Sequence, residues 1–103
     1  MKDERLIDDL QVSPDTLRRQ ADAAQAAGFT QLAENLRRAA ELTAVPKEEL
    51  LRIYEALRPG RSTQAELLAV ADALERDYGA QQTAAFIREA AAEYARRRLF
   101  RSA

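Results

Sequence analysis

Pairs of carboxylates are the residues of this chain best suited to acid–base chemistry. They occur at three places: Asp8/Asp9, Glu48/Glu49 and Asp72/Glu75. Two neighbouring carboxylates serve as general acid and base when burial raises the pKa of one of them. Each pair falls on the polar side of a predicted helix or in the charged first ten residues, where water surrounds it. We therefore interpret these pairs as solvated surface groups rather than as catalytic groups.

Most other site chemistry is excluded by composition. The chain has no histidine and no cysteine, so it lacks the usual general base near neutral pH and the commonest nitrogen ligand of zinc. It also lacks thiol catalysis, disulfides and thiolate metal sites. Its three glycines form neither a calcium-binding loop nor a phosphate-binding loop. The sequence thus predicts no catalytic, cofactor-binding or metal-binding residue.

A cluster of arginines near the end of the sequence stands out against a formal net charge of −1. Its members are Arg96, Arg97, Arg98 and Arg101. Such a cluster can contact nucleic-acid phosphates, but it also complements the dipole of a helix C terminus. With only three Tyr and three Phe to stack on bases, we favour the helix-end interpretation. A free-standing helical adaptor or nucleic-acid-binding module that uses this basic end is the alternative.

The residues named above lie on or between five predicted short helices. These helices are predicted because helix start and stop signals recur along the chain and no strand pattern is present. The first helix is bounded by Ser13-Pro14 and Gly28, the second starts after Phe29-Thr30, and the third lies between Pro46 and Pro59-Gly60. The capping box Thr63–Glu66 and Gly79 bound the fourth, and the last runs from about Ala80 to Arg98. We predict an all-α fold, a compact bundle of about five short helices. Residues 13–103 form a single domain, and residues 1–12 a frayed N-terminal segment.

The predicted core is thin, because nearly half of the hydrophobic residues are alanine and alanine buries little area. The predicted buried stripes are Leu17, Ala21, Ala24 and Ala27; Leu32, Leu36, Ala39/Ala40 and Thr43; Leu50, Ile53, Tyr54 and Leu57; Leu67, Val70/Ala71, Leu74 and Tyr78; and Ala84, Ile87, Ala91 and Tyr94. We expect the chain to be marginally stable alone and to dock on a larger partner. The three tyrosines are expected at the core or its edge, with an interface role for one of them as the alternative.

The apolar runs of the sequence are far shorter than the roughly 20 residues that a membrane-spanning helix needs. The sequence starts MKDERLIDDL, without the apolar region of a signal peptide. We expect a cytoplasmic protein.

Four stretches carry a resemblance to a known family. They are Arg38–Pro46 (RAAELTAVP), Ile53–Pro59 (IYEALRP) followed by Arg61–Thr63, Glu66–Glu75 (ELLAVADALE) and Ala84–Ala91 (AAFIREAA). In collinear order, from about residue 12 to residue 99, the chain resembles the small (gamma) subunit of adenosylcobalamin-dependent diol and glycerol dehydratases. A match of this length is far more specific than a short motif.

The resemblance implies a lyase made of large, medium and small subunits, assembled as a dimer of heterotrimers. This holoenzyme converts 1,2-propanediol, glycerol or ethanediol to the aldehyde plus water by radical chemistry in the large subunit, with adenosylcobalamin between the large and medium subunits. The small subunit is implied to bind neither cofactor nor substrate. Many relatives carry an N-terminal extension linked to bacterial microcompartments, and the short segment before Ser13 argues against that association.

Arginine makes up nearly all of the 16 basic residues, which suits a protein interface, although GC-rich codon usage explains it equally well. We predict that the turn around Pro59-Gly60, its flank and the end of the last helix form the subunit interface, because loops carry function more often than helix faces. The predicted interface residues are Tyr54, Arg58, Pro59, Arg61, Arg88, Tyr94 and Arg97.

Overall fold

Five α-helices account for 74% of the residues in the structure, a computed structural model that describes residues 13–102. They are α1 (Pro14–Ala26), α2 (Thr30–Leu42), α3 (Lys47–Ala56), α4 (Gln64–Tyr78) and α5 (Gln81–Arg96). No strand occurs within the described range, and the predicted all-α class is confirmed. None of these helices is both long and apolar enough to cross a membrane.

The chain divides into two compact units, with the boundary between Thr43 and Ala44. The first contains α1 and α2, and the second contains α3, α4 and α5. The single domain over 13–103 stays a prediction, and the predicted frayed segment 1–12 lies outside the described residues.

The first unit is a helical hairpin held together by small side chains. The hydroxyl of Ser13 accepts a hydrogen bond from the backbone N–H of Thr16 and so caps α1. Gly28, at φ +86°, makes the left-handed turn into α2. The buried cluster is Ala21, Ala24 and Ala33, with Leu36 packed against it. Alanine at these positions lets the two helices approach closely.

The predicted stripe of α2 is partly wrong. Leu32 is 49% exposed, whereas its neighbour Ala33 is completely buried. Thr43 of this stripe is exposed as well, whereas Leu36 is half-buried and Ala40, one of the pair Ala39/Ala40, is buried as predicted. In the α1 stripe, Ala27 is exposed. Helix α2 presents Ala33 and Leu36 to α1, with the small side chain of Ala33 beside Ala21 and Ala24.

The second unit buries larger side chains between its helices. The fully buried residues of α4 and α5 follow the predicted stripes: Leu67, Ala71 and Leu74, with Ala84, Ile87 and Ala91. Thr63 and Glu66 form the predicted capping box at the start of α4. Gly79 ends α4 at φ +62°, and α5 ends two residues earlier than predicted because Arg98 adopts the left-handed region at φ +56°.

Tyr54 departs most from the predicted core of this unit. Of the predicted face of α3, only Ile53 is buried, and Leu50 and Leu57 are half-buried. The side chain of Tyr54 is 55% exposed. Its placement on a buried face was therefore wrong, because α3 carries apolar residues on more than one side.

Candidate functional site

Two segments of the second unit that are far apart in sequence meet on its surface. One is the turn between α3 and α4, residues 57–63, and the other is the chain after α5, residues 97–101. The backbone N–H of Gly60 donates to the carbonyl of Leu99 at 2.7 Å, and the N–H of Arg101 donates to the carbonyl of Ser62 at 2.8 Å. We call these two segments together the turn–tail surface.

Tyr94 on α5 forms a hydrogen bond with the turn. Its hydroxyl donates to the backbone carbonyl of Leu57 at 2.6 Å, and its ring lies 5.8 Å from that of Phe100, inclined by 60°. Ser62, which is buried, closes the turn from the other side, since its hydroxyl donates to the carbonyl of Ala56 at 2.8 Å. Side-chain hydrogen bonds to backbone carbonyls therefore hold the turn from both sides.

Arginines dominate the charge of the turn–tail surface. Glu55 lies near the end of α3, just before this surface. Its carboxylate pairs with Arg58 and with Arg61 at 3.3 Å each. At the tail, Arg101 pairs with Glu66 at 2.7 Å and also donates to the carbonyl of Arg61. The two remaining arginines, Arg97 and Arg98, are exposed and form no ion pair within residues 13–102. Five guanidinium groups against two carboxylates leave this surface strongly positive.

Glu66 of the capping box forms an ion pair with Arg101 in the chain after α5. The backbone N–H of Thr63 donates to the carboxylate of Glu66 at 2.8 Å, and Arg101 donates to the same oxygen at 2.7 Å. The hydrogen bond from Thr63, and next the bond and charge of Arg101, lower the pKa of the Glu66 carboxyl below its usual 4.5. Glu66 thus supports both the start of α4 and the position of the tail.

Arg88 has a different role from the other predicted interface residues. Its guanidinium on α5 pairs with Asp72 at 2.8 Å and with Glu75 at 2.7 Å, both on α4. The hydrogen bonds to Asp72 and Glu75 raise the pKa of Arg88. The group therefore joins two helices, and the carboxylates of the pair Asp72/Glu75 are occupied as its partners.

The other carboxylate pairs also show no catalytic arrangement among the described residues. Glu49 accepts a hydrogen bond from the Tyr78 hydroxyl at 2.5 Å, and this bond raises the pKa of Tyr78. Glu48 is exposed, and Asp8/Asp9 lie outside residues 13–102. Within that range, no group of three or more acidic side chains could hold a metal ion.

A hollow of about 220 Å³ lies between α3 and α4. It is lined by Glu49, Arg52, Ile53, Val70, Ala73 and Leu74. Small-molecule sites usually occupy roughly 300–1,000 Å³, so this hollow suits an apolar side chain better than a cofactor.

The structure thus brings most of the predicted interface residues together. Arg58, Pro59, Arg61 and Arg97 lie on the turn–tail surface, and Tyr94 supports it from α5. Tyr54 lies on the exposed side of α3, and Arg88 lies in the ion pairs between α4 and α5. Leu99, Phe100 and Arg101 were missed as parts of this site, although Arg101 belongs to the basic cluster that the sequence shows.

Comparison with known proteins identifies the family. A model of the dehydratase small subunit family matches residues 1–101. The chain is 57% identical over 90 residues to the propanediol dehydratase small subunits of Citrobacter freundii and Salmonella typhimurium, and the alignment covers 87% of this chain. The chain spans about half of those relatives, 52% of their length. Nothing in these matches supports the nucleic-acid-binding alternative. On this evidence the chain belongs to the dehydratase small subunit family.

Proposed function

We propose that this chain is a non-catalytic small subunit of an adenosylcobalamin-dependent dehydratase, which converts a 1,2-diol or glycerol to the aldehyde plus water. The observation that carries the proposal is the 57% identity to two propanediol dehydratase small subunits over most of the chain. The absence of histidine and cysteine from the sequence supports a non-catalytic role, because radical and acid–base chemistry would then rest on other subunits.

The proposal places adenosylcobalamin outside this chain. In support, the hollow between α3 and α4, at about 220 Å³, is too small for a corrin ring. The proposal therefore assigns the cofactor to the large and medium subunits and assigns no step of the reaction to this chain.

The proposal assigns docking on a larger subunit to the turn–tail surface. Its hydrogen bonds hold the turn in one conformation before binding, which reduces the entropy lost on association. Its exposed guanidinium groups are planar, multidentate donors that suit carboxylates on a partner. Arginine is also enriched at protein interfaces.

The function that we propose for docking is to brace the large subunit around its reactive radical. Closed sites protect such intermediates by excluding water and stray reaction partners. A small subunit without catalytic groups contributes to this by stabilising the closed form of its partner. The expected consequence is that the holoenzyme loses activity when this chain is removed. The proposal also places the complex in the cytoplasm, which cell fractionation tests.

Co-expression with the large and medium subunits tests the proposal. Size-exclusion chromatography follows the complex, and a diol-to-aldehyde assay with adenosylcobalamin follows activity. Comigration of all three chains with cobalamin-dependent activity is the expected result. A folded, monodisperse chain that elutes apart from both partners would contradict the proposal, and salt-sensitive binding to DNA or RNA would then favour the adaptor alternative.

A further inference from the structure

One side of α3 carries two exposed apolar residues, Leu51 and Tyr54, that lie outside the turn–tail surface. Lys47, Leu51 and Tyr54 follow one another at spacings of four and three residues, which places them on one side of α3, and Arg58 follows in the turn two residues after the helix ends. All four are exposed, and the apolar members Leu51 and Tyr54 are 58% and 55% exposed. We call these four residues the α3 stripe.

The α3 stripe lies away from the side of α3 that faces the core. Ile53 is 7% exposed, and it is separated from Leu51 by two residues, or about 200° around the helix axis. Single exposed apolar residues are ordinary on protein surfaces. Here, however, a leucine and a tyrosine one turn apart form a continuous apolar strip with a cation at each end. The hydroxyl of Tyr54 forms no hydrogen bond with the described residues.

Charge distinguishes the α3 stripe from its flanks. Lys47 is the first residue of α3 and Arg58 lies in the turn after it, so the two cations stand at opposite ends of the helix. The acidic residues nearest to the stripe, Glu48 and Glu55, fall on one flank of α3, and Glu55 pairs with Arg58 and Arg61. The guanidinium of Arg58 keeps donors that this single pairing does not use. A groove that fits the stripe therefore needs an apolar floor and an acceptor group at each end.

We infer that the α3 stripe is a helix-in-groove docking element, which inserts Leu51 and Tyr54 into an apolar groove on the larger dehydratase subunit with carboxylates at both ends. The choice of partner rests on the proposed function. Charge complementarity favours an acidic groove, because both ends of the stripe are cationic. Arg58 belongs to both the stripe and the turn–tail surface, so one partner surface can cover the two together. Tyrosine at the centre of such a contact is typical of residues that dominate binding energy.

The apolar part of the inference is tested with Leu51→Asp and Tyr54→Ala in the full chain, reconstituted with the large and medium subunits. Both side chains are exposed, so circular dichroism is expected to show unchanged helix content. Each variant is expected to weaken binding at least about tenfold. Leu32→Asp is the matched control, because Leu32 is 49% exposed on α2 and lies outside the stripe. This control is expected to bind as the unmodified chain does.

The charged part is tested with the double variant Lys47→Glu/Arg58→Glu. The two new glutamates would then face the carboxylates of the groove and be repelled by them. The association rate at low salt is therefore expected to fall at least about tenfold, and its dependence on salt concentration is expected to shrink or reverse. The control Arg18→Glu/Arg19→Glu on α1 changes the net charge equally. It is expected to leave most of the salt dependence in place.

The outcomes separate this inference from the proposed function. If the unmodified chain binds and the α3 stripe variants bind equally well, the inference is wrong and the proposed function stands. If the unmodified chain does not bind the larger subunits, both are wrong. If Tyr54→Ala abolishes self-association of the chain and leaves subunit binding unchanged, the groove belongs to a second copy and the inference is wrong.

Discussion

The hydroxyl of Tyr94 lies 2.6 Å from the backbone carbonyl oxygen of Leu57 and donates a hydrogen bond to it, although the two residues are 37 positions apart. This contact joins α5 to the turn that follows α3. On the same turn, the N–H of Gly60 donates to the carbonyl of Leu99. These two contacts, together with the hydrogen bond from the Arg101 N–H to the Ser62 carbonyl, hold the turn against the end of the chain.

Replacing Tyr94 by phenylalanine removes the hydroxyl and keeps the ring against Phe100. We expect Tyr94→Phe to lower the free energy of unfolding by about 1 kcal/mol, because the Leu57 carbonyl loses its side-chain donor. Urea denaturation measures the loss, and hydrogen exchange at Gly60 is expected to become faster. Tyr54→Phe removes a hydroxyl that forms no hydrogen bond with the described residues, and its stability should not change. Equal stability of the two variants would contradict this role of Tyr94.

Removing the two arginines of the turn is expected to weaken assembly without unfolding the chain. Arg58→Ala combined with Arg61→Ala deletes two exposed guanidinium groups, both of which pair with Glu55. We expect affinity for the larger subunits to fall by about tenfold, with unchanged helix content by circular dichroism. Arg76→Ala is the control, because Arg76 is an exposed arginine of α4 that pairs with Asp77. If the double variant and this control bind equally, the turn is not part of the interface.

The capping box makes stability depend on pH. The pKa of Glu66 is lowered from its usual 4.5 in the folded chain, so folding favours its charged form. The stabilisation is complete above the unfolded pKa and is lost as the pH falls through the lowered folded value. Between about pH 5 and pH 3, the unfolding midpoint of the unmodified chain is expected to fall more than that of Glu66→Gln.

The control for this comparison is Glu34→Gln on α2, since the Glu34 carboxylate forms no ion pair within residues 13–102. Its midpoint is expected to follow that of the unmodified chain at every pH. A Glu66→Gln variant with the same acid dependence as the unmodified chain would show that this carboxylate does not contribute.

Close packing of the first hairpin limits the size of the side chain at position 33. Ala33 is fully buried beside Ala21 and Ala24. Ala33→Leu forces a larger side chain between α1 and α2, and we expect it to cost about 1–3 kcal/mol of stability. Thermal unfolding measures the change. Ala39→Leu places the same side chain at an exposed position of α2, and it is expected to leave stability nearly unchanged. An Ala33→Leu variant with the thermal stability of the unmodified chain would contradict this prediction, because it would show that the two helices accommodate the larger side chain.

Local chemistry explains which features of the fold could be predicted from the sequence. Ser13-Pro14, the pair Thr63–Glu66 and Gly79 act within a few residues of themselves, so their sequence patterns located the helix ends correctly. The stripes of α4 and α5 were also predictable, because their fully buried residues recur at spacings of three and four along each helix.

The errors arise in α2 and α3, where more than one series of apolar residues has helical spacing. In α2, alanines occupy two adjacent sides, so periodicity could not distinguish Leu32 from Ala33 as the residue at the helix crossing. In α3, apolar residues occur on both the buried and the exposed sides, which made Tyr54 resemble a core residue. The association of the turn with the tail depends on hydrogen bonds such as that from Gly60 to Leu99. A pairing between positions this far apart leaves no local pattern, so the sequence indicated the two halves of the site and not their contact.

The most direct test of the account is to add this chain to a purified complex of the large and medium subunits with adenosylcobalamin and to follow aldehyde production. We predict that activity rises with the amount of chain and saturates at one copy per large subunit. We also predict that the Arg58→Ala/Arg61→Ala variant needs a higher concentration to give the same activity. Full and lasting activity of the large and medium subunits without this chain would contradict the bracing role.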